Sequence, residues 1–331
     1  MIYCTFNQIN ALGITPAECI EWARTVITHK NDYILPEKVS IKYGDNRFFN
    51  TMPSYIPEKS LFGVKVVSRI PGRKPALLGD ILLYDSVSGA LLAFMDGTWI
   101  TAWRTAAVAA ITVNALKSND AKSISIMGLG NIARAFVLCL DEVCGHTEQH
   151  FKILAYKDQH TRFAERFKDY AGFHFEVYDD ERELIRDSDV VVSCVTAKDD
   201  YFADEKDFKP GVLVVPVMTR GFQNCDLAFD RIFCDDIPHI SGFKYFKSYK
   251  SVTEMTDVLN GCTFVRGGAS EFSPTTSVSQ SRTFSLARKF WSALGRWTHQ
   301  NACQYQKSGY RSGLIEYIVI SYSSPSARRA A

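Results

Sequence analysis

The run Ser-Ile-Ser-Ile-Met-Gly-Leu-Gly-Asn-Ile-Ala-Arg at residues 123–134 narrows the fold more than any other stretch of the chain. Its apolar first half predicts a buried strand ending at Met127. Gly128-Leu-Gly130 predicts a tight turn, and Phe136, Val137 and Leu140 predict a helix with one apolar face. A strand that ends in such a turn aims the free N–H groups of the following helix at an anion, as a dinucleotide pyrophosphate requires. Gly128 permits the turn and Gly130 lets the backbone approach the phosphates. Ala133 is small enough to replace the third glycine of the G-x-G-x-x-G pattern. Small residues also serve ordinary helix packing, so the motif takes its weight from the strand before it and the helix after it.

The pattern around this loop divides the chain. Before it, Thr15-Pro-Ala-Glu18 is a capping box with proline at the first helical position, which predicts a helix to about His29 with Cys19, Ile20, Ala23, Val26 and Ile27 inward. Met52-Pro53, 62–67, 81–84 and 90–95 read as strands, the last two as a hairpin through Asp85–Gly89. Thr101 is expected to cap a helix through Leu116, and Lys117–Asp120 marks a domain boundary. From Lys122 strand and helix alternate, with strands at 151–156, 173–178, 188–195, 211–218 and 231–234 and helices at 180–186 and 252–259. That alternation requires a parallel, doubly wound α/β sheet. Beyond Arg266 the chain turns serine-rich and basic, with a helix expected over 284–294 and a strand over 315–322. The expected domains are 1–117, 118–266 and an atypical 267–331.

Four further positions carry chemistry. Lys65 lies in the apolar strand Gly63-Val-Lys-Val-Val67, where it is either a solvent-facing alternation or a partly buried ammonium that binds a carboxylate. Arg104 falls in the first turn after Thr101, where a cation opposes the helix dipole, so an anion is expected beside it. Asp158, in Tyr156-Lys157-Asp158, is the expected acceptor for a ribose hydroxyl, and Lys157 leaves a 2′-phosphate open. NAD is therefore the expected cofactor, with NADP as the alternative. Cys194 reads as core, because no base stands near it in sequence. Asp235-Asp236 with His239 reads as a solvated turn with Pro238, with an acid–base or metal pair as the alternative.

The formal net charge of +2 gives no field for nucleic acid or an acidic membrane surface. No apolar run approaches a membrane span. The start Met1–Phe6 has no signal-peptide pattern. Nine dispersed cysteines, without C-x-x-C or histidine at metal spacing, fit a reducing cytoplasm and no zinc site. A small-molecule substrate is expected as partner.

With these residues assembled, the chain resembles the ornithine cyclodeaminase/mu-crystallin family. The resemblance rests on Met52-Pro53, Gly63-Val-Lys65, Leu82–Asp85 with Ser88-Gly89, Met95-Asp-Gly97, Ile100-Thr-Ala-Trp-Arg-Thr-Ala-Ala107, the glycine loop, Ser193-Cys-Val-Thr196 and Pro210-Gly211. It implies a Rossmann domain inserted into a second α+β domain that binds substrate and pairs in a homodimer. It also implies NAD(P)-dependent chemistry on a small amino acid or its imine, by hydride transfer at the α-carbon. Lys65 would be catalytic. Lys38, Met52, Lys65 and Arg104 would bind substrate, and Thr105, Gly130, Asn131, Ile132 and Thr196 would line the cofactor. Two departures stand out. Arg220 occupies about the place of the family's aspartate, which puts ornithine cyclisation in doubt and leaves a non-catalytic binder of the mu-crystallin type as the alternative. The tail lacks the family's Gly-x-Ala-x-x-Asp return, so an unrelated extension that impairs activity is expected.

Overall fold

The computed structural model describes residues 1–44, 46–195, 201–217 and 221–261, and the backbone of 274–277. The chain opens with β1 (Ile2–Cys4), α1 (Phe6–Asn10) and α2 (Pro16–Thr28). Thr15 caps α2 as its sequence requires. Its hydroxyl accepts the Glu18 N–H at 3.2 Å, and the Glu18 carboxylate accepts the Thr15 N–H at 3.0 Å. The predicted inner residues of α2 are buried, together with Trp22.

Strands β2 (Val39–Tyr43), β3 (Arg47–Ile56), β4 (Leu61–Arg69), β5 (Leu77–Asp85) and β6 (Leu91–Asp96) complete a six-stranded sheet in the order β1-β6-β5-β4-β3-β2. Its pairs are antiparallel except that β1 runs parallel to β6. Along β4 the side chains alternate, with Leu61, Gly63, Lys65, Val67 and Arg69 buried and Phe62, Val64, Val66 and Ser68 outward. Lys65 therefore stands on the core face. Its register neighbours are Met52 on β3 and Ile81 on β5, both buried.

Helix α3 (Thr98–Leu116) begins a turn before the expected start at Thr101. The Asp96 carboxylate accepts the Thr98 N–H at 2.7 Å, and the Thr101 N–H already donates to the Gly97 carbonyl at 2.8 Å. Arg104 consequently lies in the second turn, where the dipole argument for an anion has largely faded. Its alanine neighbours 106, 107, 109 and 110 are fully buried and let α3 pack closely along much of its circumference.

The second half of the chain supplies β7 (Ser123–Met127), α4 (Asn131–Val143), β8 (Gln149–Leu154), α5 (Gln159–Arg166), β9 (Phe173–Tyr178), α6 (Glu181–Ile185), β10 (Val190–Ser193), β11 (Leu213–Pro216), β12 (Arg231–Cys234), α7 (Ile237–Ile240), β13 (Val252–Glu254), α8 (Met255–Leu259) and β14 (Pro274–Ser277). Its strands form a parallel eight-stranded sheet, β9-β8-β7-β10-β11-β14-β12-β13. The connections reverse direction between β7 and β10. This is the doubly wound architecture that the alternation predicts, an α/β fold with a Rossmann-type sheet.

Two stretches differ from expectation. Residues 252–259 are not one helix. β-branched Val252 and Thr253 pair with Ile232 and Phe233 of β12, and the helix starts only at Met255. Strand β14 enters between β11 and β12. Pro-Thr-Thr-Ser is too short and polar to announce a central strand. The helix expected over 284–294 and the strand over 315–322 lie outside the described residues.

The two halves are tied near the end of α2. The Thr256 hydroxyl donates to the Ile27 carbonyl at 2.9 Å, and the Asn260 amide donates to that of Thr28 at 3.0 Å. Lys30 Nζ lies 2.5 Å from both Asp236 and Glu254 carboxylates.

Candidate functional site

The turn between β7 and α4 has the backbone that its glycines permit. Gly128 has φ +80°, and a Cβ there would lie 2.8 Å from the Cys194 carbonyl carbon and the Val195 nitrogen, where the chain leaves β10. Only glycine fits between these two backbones. Gly130 differs. Its φ is ordinary, and an added Cβ would meet nothing within 4 Å. The space before Gly130 is open, at the N-terminus of the thirteen-residue α4.

Clefts open on both sides of this turn. One, of about 410 Å³, is bounded by Gly130, Asn131 and Ile132 on one wall and by Val67, Thr98 and Thr101 on the other. The other, of about 450 Å³, runs past Gly128 and Leu129 to Tyr156 and Gln159 beyond β8. Gly130, Gln159 and Cys194 border both. The Thr98 and Thr101 hydroxyls are buried and have no hydrogen-bond partner among the described residues. Buried hydroxyls of this kind favour a polar ligand. A pyrophosphate over Gly130, with its two ends in the two clefts, fits this cradle.

Behind the first cleft lies a cluster of buried charge. Lys65 is 0% exposed and Arg104 1%. Val67, which borders the cleft, is two residues from Lys65 on the same face of β4, and Thr101 is one turn from Arg104. Burial lowers the Lys65 ammonium well below its ordinary pKa, and the positive charges of Arg104 and Lys38 lower it further. Burial brings the Arg104 guanidinium down to about 10, against the pull of Asp235. Lys38 is lowered by burial and by Lys42, again opposed by Asp235. Lys38, Lys65, Arg104 and Asp235 thus share one electrostatic neighbourhood. A buried excess of cations suits a carboxylate, which the planar guanidinium can grip through two parallel hydrogen bonds.

Asp235 corrects the sequence reading. It is 2% exposed at the C-terminal end of β12, not part of a solvated turn. The signal was its position directly after an apolar strand, where open α/β sheets gather their ligand-facing residues.

The remaining predicted residues fall in different places. Met52 is buried beside Lys65. The Thr105 hydroxyl is engaged within α3, where it donates to the Thr101 carbonyl at 2.7 Å. Asp158 precedes α5 on the solvent side, 2.5 Å from Arg162, while Tyr156 and Gln159 on either side of it border the second cleft. Thr196 and Arg220 lie outside the described residues. The Cys194 thiol is buried and pushed up to about 12, which suits a cleft wall and not a nucleophile.

Known proteins resemble the chain in both sequence and fold. Residues 26–235 match the ornithine cyclodeaminase/mu-crystallin family. The chain is 29% identical to the ketimine reductase mu-crystallin of Mus musculus over 168 residues, which cover 50% of this chain and 52% of that protein. It is 27% identical to Delta(1)-pyrroline-2-carboxylate reductase 1 of Burkholderia multivorans over 275 residues, or 76% of this chain and 84% of the other. The solved structure of the Thermococcus litoralis Delta(1)-pyrroline-2-carboxylate reductase, in complex with NADH and L-proline, superposes with a TM-score of 0.75 at 23% identity and covers 89% of this chain and 98% of its own. The glycine turn, the reversal of the sheet beside it and the family match agree, and the chain belongs to the ornithine cyclodeaminase/mu-crystallin family.

Proposed function

We propose that the chain is an NAD(P)-dependent enzyme that reduces the imine of a small α-amino acid, or runs that reaction in reverse. The observation that carries this reading is the buried pair Lys65 and Arg104 behind a cleft that ends on the Gly130 turn. Relatives named as ketimine and pyrroline-2-carboxylate reductases support the reaction class.

Gly128, Gly130, Asn131 and Ile132 would hold the dinucleotide, which supplies hydride chemistry when bound. Arg104 binds the substrate carboxylate as a fork, and Lys65 and Lys38 add positive charge beside it. That grip fixes the α-carbon toward the turn. Met52 and Ile81 keep water from Lys65. The lowered Lys65 pKa makes its ammonium a readier proton donor to an imine nitrogen, and the neutral amine accepts that proton in reverse. NAD is the cofactor of this reading, with NADP taken if Lys157 reaches a 2′-phosphate. The molecule works as a cytoplasmic homodimer.

The test is nicotinamide absorbance with NADH or NADPH and a panel of cyclic and linear α-imino acids. Turnover that falls at least about a hundredfold in Lys65→Ala, an effect of the size expected for a proton-transfer group, supports the proposal. The competing reading, favoured by Arg220 in place of the family's aspartate, is a protein that binds NAD(P) and turns nothing over. Cofactor binding with no consumption across the panel, and no ammonia from diamino acids, selects it.

A further inference from the structure

The open face of β8 and β9 carries a group of side chains that the proposed reaction does not use. His150 on β8 and His174 on β9 are register partners of adjacent parallel strands, so their side chains leave the same face. Their rings stack with centroids 4.8 Å apart and planes 21° apart. Glu148 precedes β8 by one residue, and two-residue alternation brings it to the same side as His150. One ligand atom from each of the three side chains lies within 4.8 Å of the other two. Phe151 and Phe175, one residue along, point the opposite way and stack on each other near Phe163 of α5. The sheet thus fixes the backbone positions of the two histidines while leaving their rings in water.

We propose that Glu148, His150 and His174 form a surface site for a divalent transition metal ion of the zinc class. Two imidazoles and one carboxylate are the donor types that zinc takes in three-ligand sites, with water completing the tetrahedron. The same set disfavours magnesium and calcium, which need an all-oxygen shell. The preformed strand pair means that only side-chain rotations are required to close on the ion. Local sequence spacing could not reveal the site, because α5 lies between the two histidines in the chain. An ion there fastens β9, the last strand of its sheet, to β8. The site is at the N-terminal end of β8, whereas Tyr156, beyond the opposite end, borders the cofactor cleft.

The test is calorimetric titration of the full chain, freed of any purification tag, with zinc chloride, alongside His150→Ala/His174→Ala, Glu148→Gln and His146→Ala. His146 is a neighbouring exposed histidine already engaged with Asp141 at 2.8 Å. One zinc per wild-type chain is expected, with affinity at least about tenfold weaker in the double variant, which loses both nitrogen donors. Glu148→Gln weakens binding less, and His146→Ala leaves it unchanged. Because the altered residues are exposed, the metal-free melting temperatures stay together, and zinc raises only those of the chains that bind it. Cobalt(II) should give a tetrahedral visible spectrum in wild type that the double variant lacks. No binding by wild type, or equal binding by the double variant, overturns the proposal. NAD binding is measured separately and is expected to be the same with and without zinc.

Discussion

At the scale of single residues, Lys65 carries the pH response expected of the proposed reaction. Its buried ammonium has a pKa well below the ordinary lysine value. Below that lowered pKa Lys65 is charged and attracts a carboxylate; above it the attraction is lost. KM for an α-imino acid is therefore expected to rise as pH increases through the lowered pKa, at a pH where an exposed lysine would still be charged. Steady-state profiles of wild type and Lys65→Arg separate the two cases, because the arginine variant should lack that limb. The stability effect has the same origin. Between the folded and unfolded pKa values the unfolded chain binds more protons, so this group's contribution to stability increases with pH across that window. Arg104→Lys keeps a positive charge and removes the fork. It is expected to lower kcat/KM by roughly 1.5–3 kcal/mol of transition-state binding, the range for hydrogen bonds to charged groups.

At the scale of elements, the two glycines of the β7–α4 turn make opposite predictions. Gly128→Ala forces a Cβ into the backbone that leaves β10, at positive φ. It should destabilise the fold by about 3 kcal/mol or more, with a clear drop in melting temperature. Gly130→Ala has room in the protein and an ordinary φ. Its stability should stay within about 0.5 kcal/mol of wild type, while NAD affinity falls, because the methyl group would occupy the space proposed for the phosphates. Elements governed by local chemistry were legible in the sequence: the capping box of α2, the apolar β10 and the turn before α4. Those governed by distant partners were not. The early start of α3 depends on Asp96, the strand character of Val252–Glu254 depends on β12, and Asp235 looked solvated because its cationic neighbours, Lys38 and Arg104, come from the segment before β2 and from α3. Lys65 admitted two readings for the same reason, since alternation alone does not say which face of a sheet is covered.

At the scale of the whole molecule, the outer face of the first sheet exposes several large apolar side chains. The register aligns Ile41, Phe49, Ser68 and Leu78 in one row across β2–β5, and the three apolar members are exposed. In the proposed homodimer this row is the face assigned to the second copy. Phe49→Glu is expected to shift light-scattering mass from dimer to monomer. The tie near α2 makes a separate prediction. Lys30→Met leaves Asp236 and Glu254 facing each other without their shared cation. It should cost about 2 kcal/mol, less than for a fully buried pair, and the deficit should lessen as salt screens the two carboxylates.

The late strand β14 has a consequence for how the molecule is made. Seven strands of the large sheet leave the ribosome before it, yet β12 pairs with β14 and reaches β11 only across it. While the chain is being synthesised, β12 and β13 can pair with each other and dock on the end of α2, but the outer edge of β11 stays uncovered. Translation arrested just after Gly261 should therefore yield nascent chains that chaperones retain through the uncovered edge of β11, whereas arrest with 274–277 outside the exit tunnel should release that hold.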